Sequence, residues 1–212
     1  MTGAIKAGVC PCCGIEYDYT ELRYCSECDI DGCSHCISGK GGLVCRECSS
    51  KGMPLHLEPM LSRNGSMPHD LPQWGFEFKW DGVRALCYSI GGHLRLESRT
   101  LKDITARYPD LTNGKHPESD FIIDGEIITL NEKGIPDFRQ LQSRMHLSPG
   151  KAAAKASSIP VHYYIFDILW IDGTSLLEKP YEERRTYLDS TGLDDGRWRI
   201  PSVYYGDGPA ML

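Results

Sequence analysis

Residues Phe76-Glu77-Phe78-Lys79-Trp80-Asp81-Gly82-Val83-Arg84 set one amine between two aromatic side chains, with an aspartate, a glycine and an arginine close behind. A protonated lysine is a poor nucleophile; apolar neighbours and a nearby cation both disfavour the ammonium form and free the amine for covalent catalysis. Phe78 and Trp80 are the apolar neighbours in this stretch, and Arg84 is the cation. Gly82 permits a tight turn, or the close approach of a ligand where a side chain would stand in the way. A lysine in an ordinary half-buried strand has the same local letters, so the reading as a nucleophile depends on the rest of the chain.

A second set of reactive residues lies upstream. Nine of the ten cysteines fall between Cys10 and Cys48, and eight form Cys-x-x-Cys pairs: Cys10/Cys13, Cys25/Cys28, Cys33/Cys36 and Cys45/Cys48. In a reducing compartment such crowding argues for metal rather than disulfides. Two cysteines two residues apart at a knuckle turn reach one tetrahedral zinc, and two knuckles close a four-thiolate site. Eight ligands therefore imply two Zn²⁺ ions. The gap between the middle pairs is short, which favours interleaving: first with third pair on one ion, second with fourth on the other. Two sequential ribbons satisfy the spacing as well. The spacing resembles cross-brace fingers of the FYVE and PHD type, although the basic cluster of lipid-binding FYVE fingers is absent and Leu43-Val44 stands where a PHD finger has tryptophan. Cys12 and His35 read as bystanders. Residues 1–52 are too few to bury a large core, so metal would supply most of the folding energy.

The totals constrain the partners. At 212 residues the chain fits one medium domain and a small module, here divided at 1–52 and 53–212, with the polar Ser49-Ser50-Lys51-Gly52 as boundary. Net charge is -6, and neither part is basic: residues 1–52 hold five Lys/Arg against seven Asp/Glu, the remainder eighteen against twenty-two. Any nucleic-acid contact must then come from a local patch. No apolar run reaches the length of a membrane span, and Met1-Thr2-Gly3-Ala4-Ile5-Lys6 lacks the apolar core of a secretion signal. The expectation is a cytoplasmic protein with no membrane partner.

Downstream elements must position the lysine. Val83 to Ile90 and His93 to Glu97 read as strands joined by a Gly91-Gly92 hairpin turn. Phe121 to Leu130 reads as a buried strand carrying Asp124 and Glu126 on one face, where a cation, a metal or a ligand hydroxyl must meet them; an ion pair with Arg84 or Arg99 is the plain alternative. Pro136 to His146 has helical spacing, Lys151 to Ser158 reads as a flexible surface segment, and Val161 to Trp170 is an apolar strand holding Asp167. Pro180 can begin a helix running to about Leu188. The tail after Gly192 shows no pattern.

Taken in order, Lys79-Trp80-Asp81-Gly82-Val83-Arg84, Ser98-Arg99, Asp124-Gly125-Glu126 and Tyr164-Ile165-Phe166-Asp167, with Pro59-Met60-Leu61 upstream, resemble the ATP-dependent DNA ligase family in its bacterial and phage branch. The resemblance covers roughly residues 57–212. It implies an α+β chain: a nucleotidyltransferase (ATP-grasp-like) domain of antiparallel sheets with flanking helices, following the small two-zinc module. Lys79 would attack the α-phosphorus of ATP, with Mg²⁺ or Mn²⁺, and hold AMP for transfer to the 5′-phosphate of nicked DNA. Glu77, Arg84, Arg99, Glu126 and Phe166 would bind the nucleotide: Glu77 at the adenine edge, Arg99 near ribose or DNA phosphate, Glu126 on the ribose hydroxyl, Phe166 stacked on adenine. The family's later glutamate-glycine and lysine-x-lysine motifs and its oligonucleotide-binding barrel are missing, so the expectation is a domain truncated at its C-terminus that forms little lysyl-AMP alone, or that a second polypeptide completes. Two alternatives remain: an RNA ligase or capping-type transferase, and a non-catalytic interaction protein whose zinc module docks a protein partner.

Overall fold

The computed structural model describes residues 6–10, 16–18, 20, 22–25, 31–34, 36–38, 44–45, 52–69, 71–114, 116–117, 119–206 and 208–211. Cys13, Cys28, Cys48, Cys12, His35 and most of the 49–52 boundary lie outside them. The cysteine-rich part contributes six short strands: β1 (Lys6–Val9), β2 (Glu16–Asp18), β3 (Leu22–Tyr24), β4 (Asp31–Cys33), β5 (Ile37–Ser38) and β6 (Val44–Cys45). They pair antiparallel as β1 with β2, β3 with β4 and β5 with β6.

The larger part is built on one sheet. Its strands are β8 (Val83–Ile90), β9 (His93–Ser98), β10 (Phe121–Ile128), β11 (His162–Ile171) and β12 (Thr174–Ser175), in the order β12-β11-β10-β8-β9. All these neighbours are antiparallel. β13 (Trp198–Arg199) adds to β11 in parallel, and β7 (Gly75–Phe76) pairs with β14 (Tyr204–Tyr205) in a separate ribbon. The tail that shows no sequence pattern therefore returns to the sheet in pieces too short to carry a period. Gly91 and Gly92, with φ of 54° and 75°, make the β8–β9 turn, a conformation that costs glycine nothing.

Among the described residues, four helices accompany the sheet: α1 (Pro109–Thr112), α2 (Phe138–Met145), α3 (Pro149–Ala154) and α4 (Tyr181–Ser190). Asp137 caps α2 by accepting a hydrogen bond from Gln140 N at 3.2 Å, as an N-cap carboxylate should. α3 corrects the expectation of a flexible segment over 151–158. Small alanines let this turn lie flat on the body, and Ala152 is fully buried. On one face of the sheet Ala85, Cys87, Phe121, Ile123, Ile127, Tyr163 and Ile165 pack against Leu111, Leu141 and Leu188 of the helices, forming the main core. Arg144 lies wholly inside this layer and grips Asp110 with two nitrogens, at 2.5 and 2.9 Å.

The opposite face has a smaller apolar cluster of Leu86, Tyr88, Ile122 and Trp170, covered by Met53 and Leu57. The segment carrying those two residues is tied down by polar bonds. Leu57 N donates to Tyr88 Oη at 2.9 Å, Arg95 donates to Leu55 O at 2.5 Å, and His56 Nδ1 meets the buried Glu97 at 2.5 Å. Burial, with Glu97 beside it, pushes the Tyr88 hydroxyl up to about 12, so it stays a donor. The segment then runs along the sheet into the wall of a cavity.

Among the described residues, no helix is long and apolar enough to cross a membrane.

Candidate nucleotide site and cysteine cluster

Strand register decides which side chains reach that cavity. Glu126 stands opposite Arg84, and Asp124 opposite Leu86, so all four share the face that Met53 and Leu57 cover. Along β11 the pairing passes from Ile165 opposite Gly125 directly to Asp167 opposite Asp124, leaving Phe166 as an extra, bulged residue; Leu169 is passed over in the same way. A bulge re-aims side chains that a period of two would send to opposite faces. Phe166, Asp167 and Leu169 consequently all line the same cavity of about 440 Å³, with Glu77, Arg84 and Asp124. The sequence carries no mark of this bulge.

Two glycines make the geometry possible. A Cβ at Gly82 would fall 2.2 Å from Ile127 O, and one at Gly125 would fall 2.6 Å from Tyr164 O. Gly82 is thus required by the backbone of β10 pressing against the lysine loop, rather than by a turn. Its N–H also bonds the Glu126 carboxyl.

Charge is arranged in pairs around the cavity. Arg84 donates from Nε and Nη2 to the two Asp124 oxygens at 2.5 and 2.7 Å, and its guanidinium carbon lies 4.5 Å from the centre of the Phe166 ring. Arg184 grips Asp167 with two bonds of 2.7 Å. Glu77 accepts from Tyr181 Oη at 2.9 Å and from Arg185 at 3.3 Å. Burial pushes the Glu77 carboxyl above its ordinary value, against the pull of Tyr181 and Arg185. Burial likewise pushes Glu126 up to about 7, with Arg84, the Gly82 N–H and the Lys79 charge opposing it.

Of the residues named from sequence, the structure brings Glu77, Arg84 and Phe166 onto one cavity wall. Glu126 lies beside them in register with Arg84, and Lys79 is close enough for its charge to act on Glu126. The amine is not enclosed: Lys79 is exposed in the loop between β7 and β8, and Phe78 is 49% exposed. Trp80 packs on Tyr164, with ring centres 4.4 Å apart, and Arg84 is occupied by Asp124. Arg99 is exposed in the turn after β9 and does not line the cavity. Sequence reasoning missed Tyr181, Arg184 and Arg185. Their signal was available: three and four residues after Tyr181 on a helix, both arginines lie on its face.

In the cysteine-rich part, the sulfurs of Cys10, Cys33 and Cys36 lie within 4.8 Å of one another, and all three residues are buried. Cys36 N donates to Cys33 O at 3.0 Å, closing the turn between them. A Cβ on Gly32 would sit 3.2 Å from the Cys10 sulfur. Cys25 is buried but outside this cluster, and for Cys45 only the strand position is described.

An antiparallel sheet bearing a lysine-aspartate-glycine loop beside a cavity with an aromatic wall is the frame of a nucleotidyltransferase. Residues 59–204 match the family profile described as ATP dependent DNA ligase domain, and the chain belongs to that family. Over 178 residues it is 37% identical to the multifunctional non-homologous end joining protein LigD of Mycolicibacterium smegmatis, a span of 82% of this chain and 22% of that protein. DNA ligase C1 of the same organism is 31% identical over 148 residues, 67% of this chain and 42% of the relative. Among solved structures, the ligase domain of M. tuberculosis LigD superimposes with a TM-score of 0.60 at 32% identity, over 72% of this chain and 47% of that one. A mycobacterial DNA ligase D complexed with ATP and MES gives 0.59 at 32% identity, over 72% and 48%. The chain thus spans less than a quarter of the LigD protein and about half of the solved ligase domains.

Proposed function

We propose that residues 53–212 are the nucleotide-binding part of an ATP-dependent DNA ligase, in which Lys79 attacks the α-phosphorus of ATP. Pyrophosphate leaves, AMP stays on Nζ as a phosphoramidate, and it then passes to the 5′-phosphate of a nick for displacement by the neighbouring 3′-hydroxyl. Covalent capture divides one difficult condensation into activated steps. A divalent cation such as Mg²⁺, bound with the nucleotide, would offset charge on the phosphoryl and leaving groups. The observation that carries this reading is the shared cavity of Glu77, Arg84 and Phe166 beside Glu126, with the Lys79 loop held against β10 by Gly82. The Phe166 ring gives a purine a π-face to stack on. Glu126, protonated or charged near pH 7, accepts or donates to a ribose hydroxyl. Arg99, in the exposed turn, is assigned to phosphate contacts on DNA. The substrate is nicked DNA, and the role is strand repair, as the end-joining relatives suggest.

The eight paired cysteines hold two Zn²⁺ in a separate module over residues 1–52. The buried cluster of three sulfurs supports the metal, since thiols gathered so tightly suit a tetrahedral thiolate site. Cys13, Cys25, Cys28, Cys45 and Cys48 enter as ligands from their spacing. The module's cysteines suit the reducing cytoplasm, and a protein partner is its proposed contact.

The test uses α-labelled ATP and Mg²⁺, with the chain alone and joined to the remaining length of a mycobacterial ligase domain. Label in the joined chain runs with the protein on a denaturing gel and disappears in Lys79→Ala, while the zinc content stays at two. Label that persists in Lys79→Ala overturns the nucleophile; nicked RNA sealed in preference to nicked DNA overturns the substrate.

A further inference from the structure

We infer that the buried Glu97 is a positioning residue for the nucleotide cavity, acting through the strap of residues 53–61 that forms part of its wall, a role that rests on that cavity being the nucleotide site. Glu97 itself does not line the cavity.

A carboxylate that is 1% exposed costs free energy unless donors surround it. Glu97 stands opposite Leu86 in the β8–β9 register, on the face of the small apolar cluster, a position that an apolar side chain would fill without that cost. Among the described residues it has three side-chain partners, and each of them also holds the strap. His56 belongs to the strap, and its Nδ1 donates to Glu97 Oε2 at 2.5 Å, since a carboxylate can only accept. Arg95 donates from Nη1 to the same oxygen at 2.6 Å and from Nη2 to Leu55 O at 2.5 Å. Tyr88 Oη donates to Glu97 Oε1 at 3.2 Å and accepts from Leu57 N at 2.9 Å. The Arg95 guanidinium carbon lies 4.0 Å from the centre of the Tyr88 ring, which steadies the two donors against each other. Three consecutive strap residues are thus fixed through one carboxylate.

The strap enters the cavity at the last of those three. Leu57 lines it together with Glu58 and Met60, in the company of Phe166 and Arg84. The far end is held more lightly. Arg84 Nη2 donates to Met60 O at 3.4 Å, a long bond from a guanidinium already committed to Asp124. The strap therefore hangs between a strong anchor at Leu55–Leu57 and a weak one at Met60. Without the strong anchor, Leu57 and Met60 drift from the wall, and a nucleotide that binds must first bring them back. Apolar contacts of Met53 still keep the chain against the sheet, so position is lost rather than fold. A strap in place in about one molecule in five lowers the apparent affinity about fivefold.

Calorimetric titration of ATP into the full chain, with the thermal midpoint of each variant, tests this role. His56→Ala removes a side chain that is 60% exposed, so the fold survives, and ATP binding should weaken by about fivefold. His56→Asn returns an N–H donor close to the place of Nδ1 and should restore affinity to within about twofold of the parent chain. Glu97→Gln keeps the volume and should weaken binding at least as far as His56→Ala, because all three holds on the strap pass through it. Phe166→Ala, in the cavity wall itself, is the control. Equal affinities in His56→Ala, Glu97→Gln and the parent, with Phe166→Ala weakened, overturn the role of Glu97 and leave the cavity reading standing. So does an affinity that His56→Asn fails to restore. If Phe166→Ala binds ATP as the parent does, or the parent binds none, the cavity reading fails and the positioning role falls with it.

Discussion

The main core of the sheet region gathers seventeen buried residues, from Ala85 to Trp198, drawn from strands and helices more than a hundred positions apart. Among the described residues, the cysteine-rich region gathers four: Cys10, Tyr17, Cys33 and Cys36. Three of those four are the proposed metal ligands, so in the small region core and metal site are one object. In the large region the core and the candidate site lie on opposite faces of a single sheet, and chemistry is tuned on one face without opening the other. A short region that buries little apolar surface needs a different source of cohesion, and the metal proposed for these thiols would supply it.

Metal removal is the largest expected break between the two. Structural zinc contributes on the order of 10–16 kcal/mol to a small domain at neutral pH. A strong chelator should make residues 6–45 cleavable by trypsin, while the thermal midpoint of the sheet, followed through buried Trp170 and Trp198, moves by less than about 2 °C. A sheet that melts together with the cysteine module would show that the two regions share their stability.

Arg144→Met strikes the other side of the comparison. Arg144 is fully buried, bonds both Asp110 oxygens and also donates to the carbonyls of Ile159 and Arg107. Removing one partner of such a pair leaves an uncompensated buried charge and costs about 3–5 kcal/mol. With about 2–4 °C per kcal/mol for a chain of this size, the midpoint of the sheet should fall by roughly 6–20 °C. Zinc content should not change.

The third prediction sharpens the contrast between the two faces of the sheet. Glu126 is held at about 7 because burial penalises its charge. A carboxyl raised above its unfolded value favours the fold below that value and loses the contribution as pH climbs through the folded one. Stability should therefore decline between about pH 4.5 and 7. A shift of this size is worth about 3 kcal/mol at full burial, and solvent screening at a half-buried group reduces it to roughly 1–2 kcal/mol. Glu126→Gln flattens that part of the profile. Denaturant midpoints at pH 5 and pH 7.5 measure it, and an unchanged slope in the variant would remove Glu126 as its source.

What could be read from the letters follows the same division. Strands with strong period-two or continuous apolar character, such as Val83–Ile90 and Phe121–Ile128, are visible because burial on a sheet dictates them. The lysine loop and the paired cysteines are visible because chemistry restricts residue type at fixed spacing. Phe166 shows the limit. Its aromatic type is legible, but its place beside Asp167 on one wall depends on a bulge set by pairing with β10, forty residues away in sequence. The burial of Ala152 is equally silent, since alanine suits exposed and buried turns alike. Gly82 was conspicuous in the motif, yet the reason for it, the Ile127 carbonyl, belongs to another strand.

The smallest expected effect concerns α4, which belongs to the structural layer by position and to the site by its side chains. Tyr181 Oη donates to Glu77 at 2.9 Å, and Arg185 approaches the same oxygen at 3.3 Å. Tyr181→Phe removes the hydroxyl and keeps the ring, so the apolar contacts of the helix survive. A bond to a charged group in a half-exposed setting is worth about 1 kcal/mol, which lowers the midpoint by roughly 2–4 °C. Glu77 borders the cavity next to the lysine loop, so loosening its carboxylate should weaken ATP binding by about fivefold, measured through the fluorescence of Trp80. Arg185→Lys keeps a cation near Glu77 and should weaken binding less. If Tyr181→Phe lowers the midpoint as far as Arg144→Met does while ATP affinity stays constant, α4 supports the sheet alone and has no part in the nucleotide site.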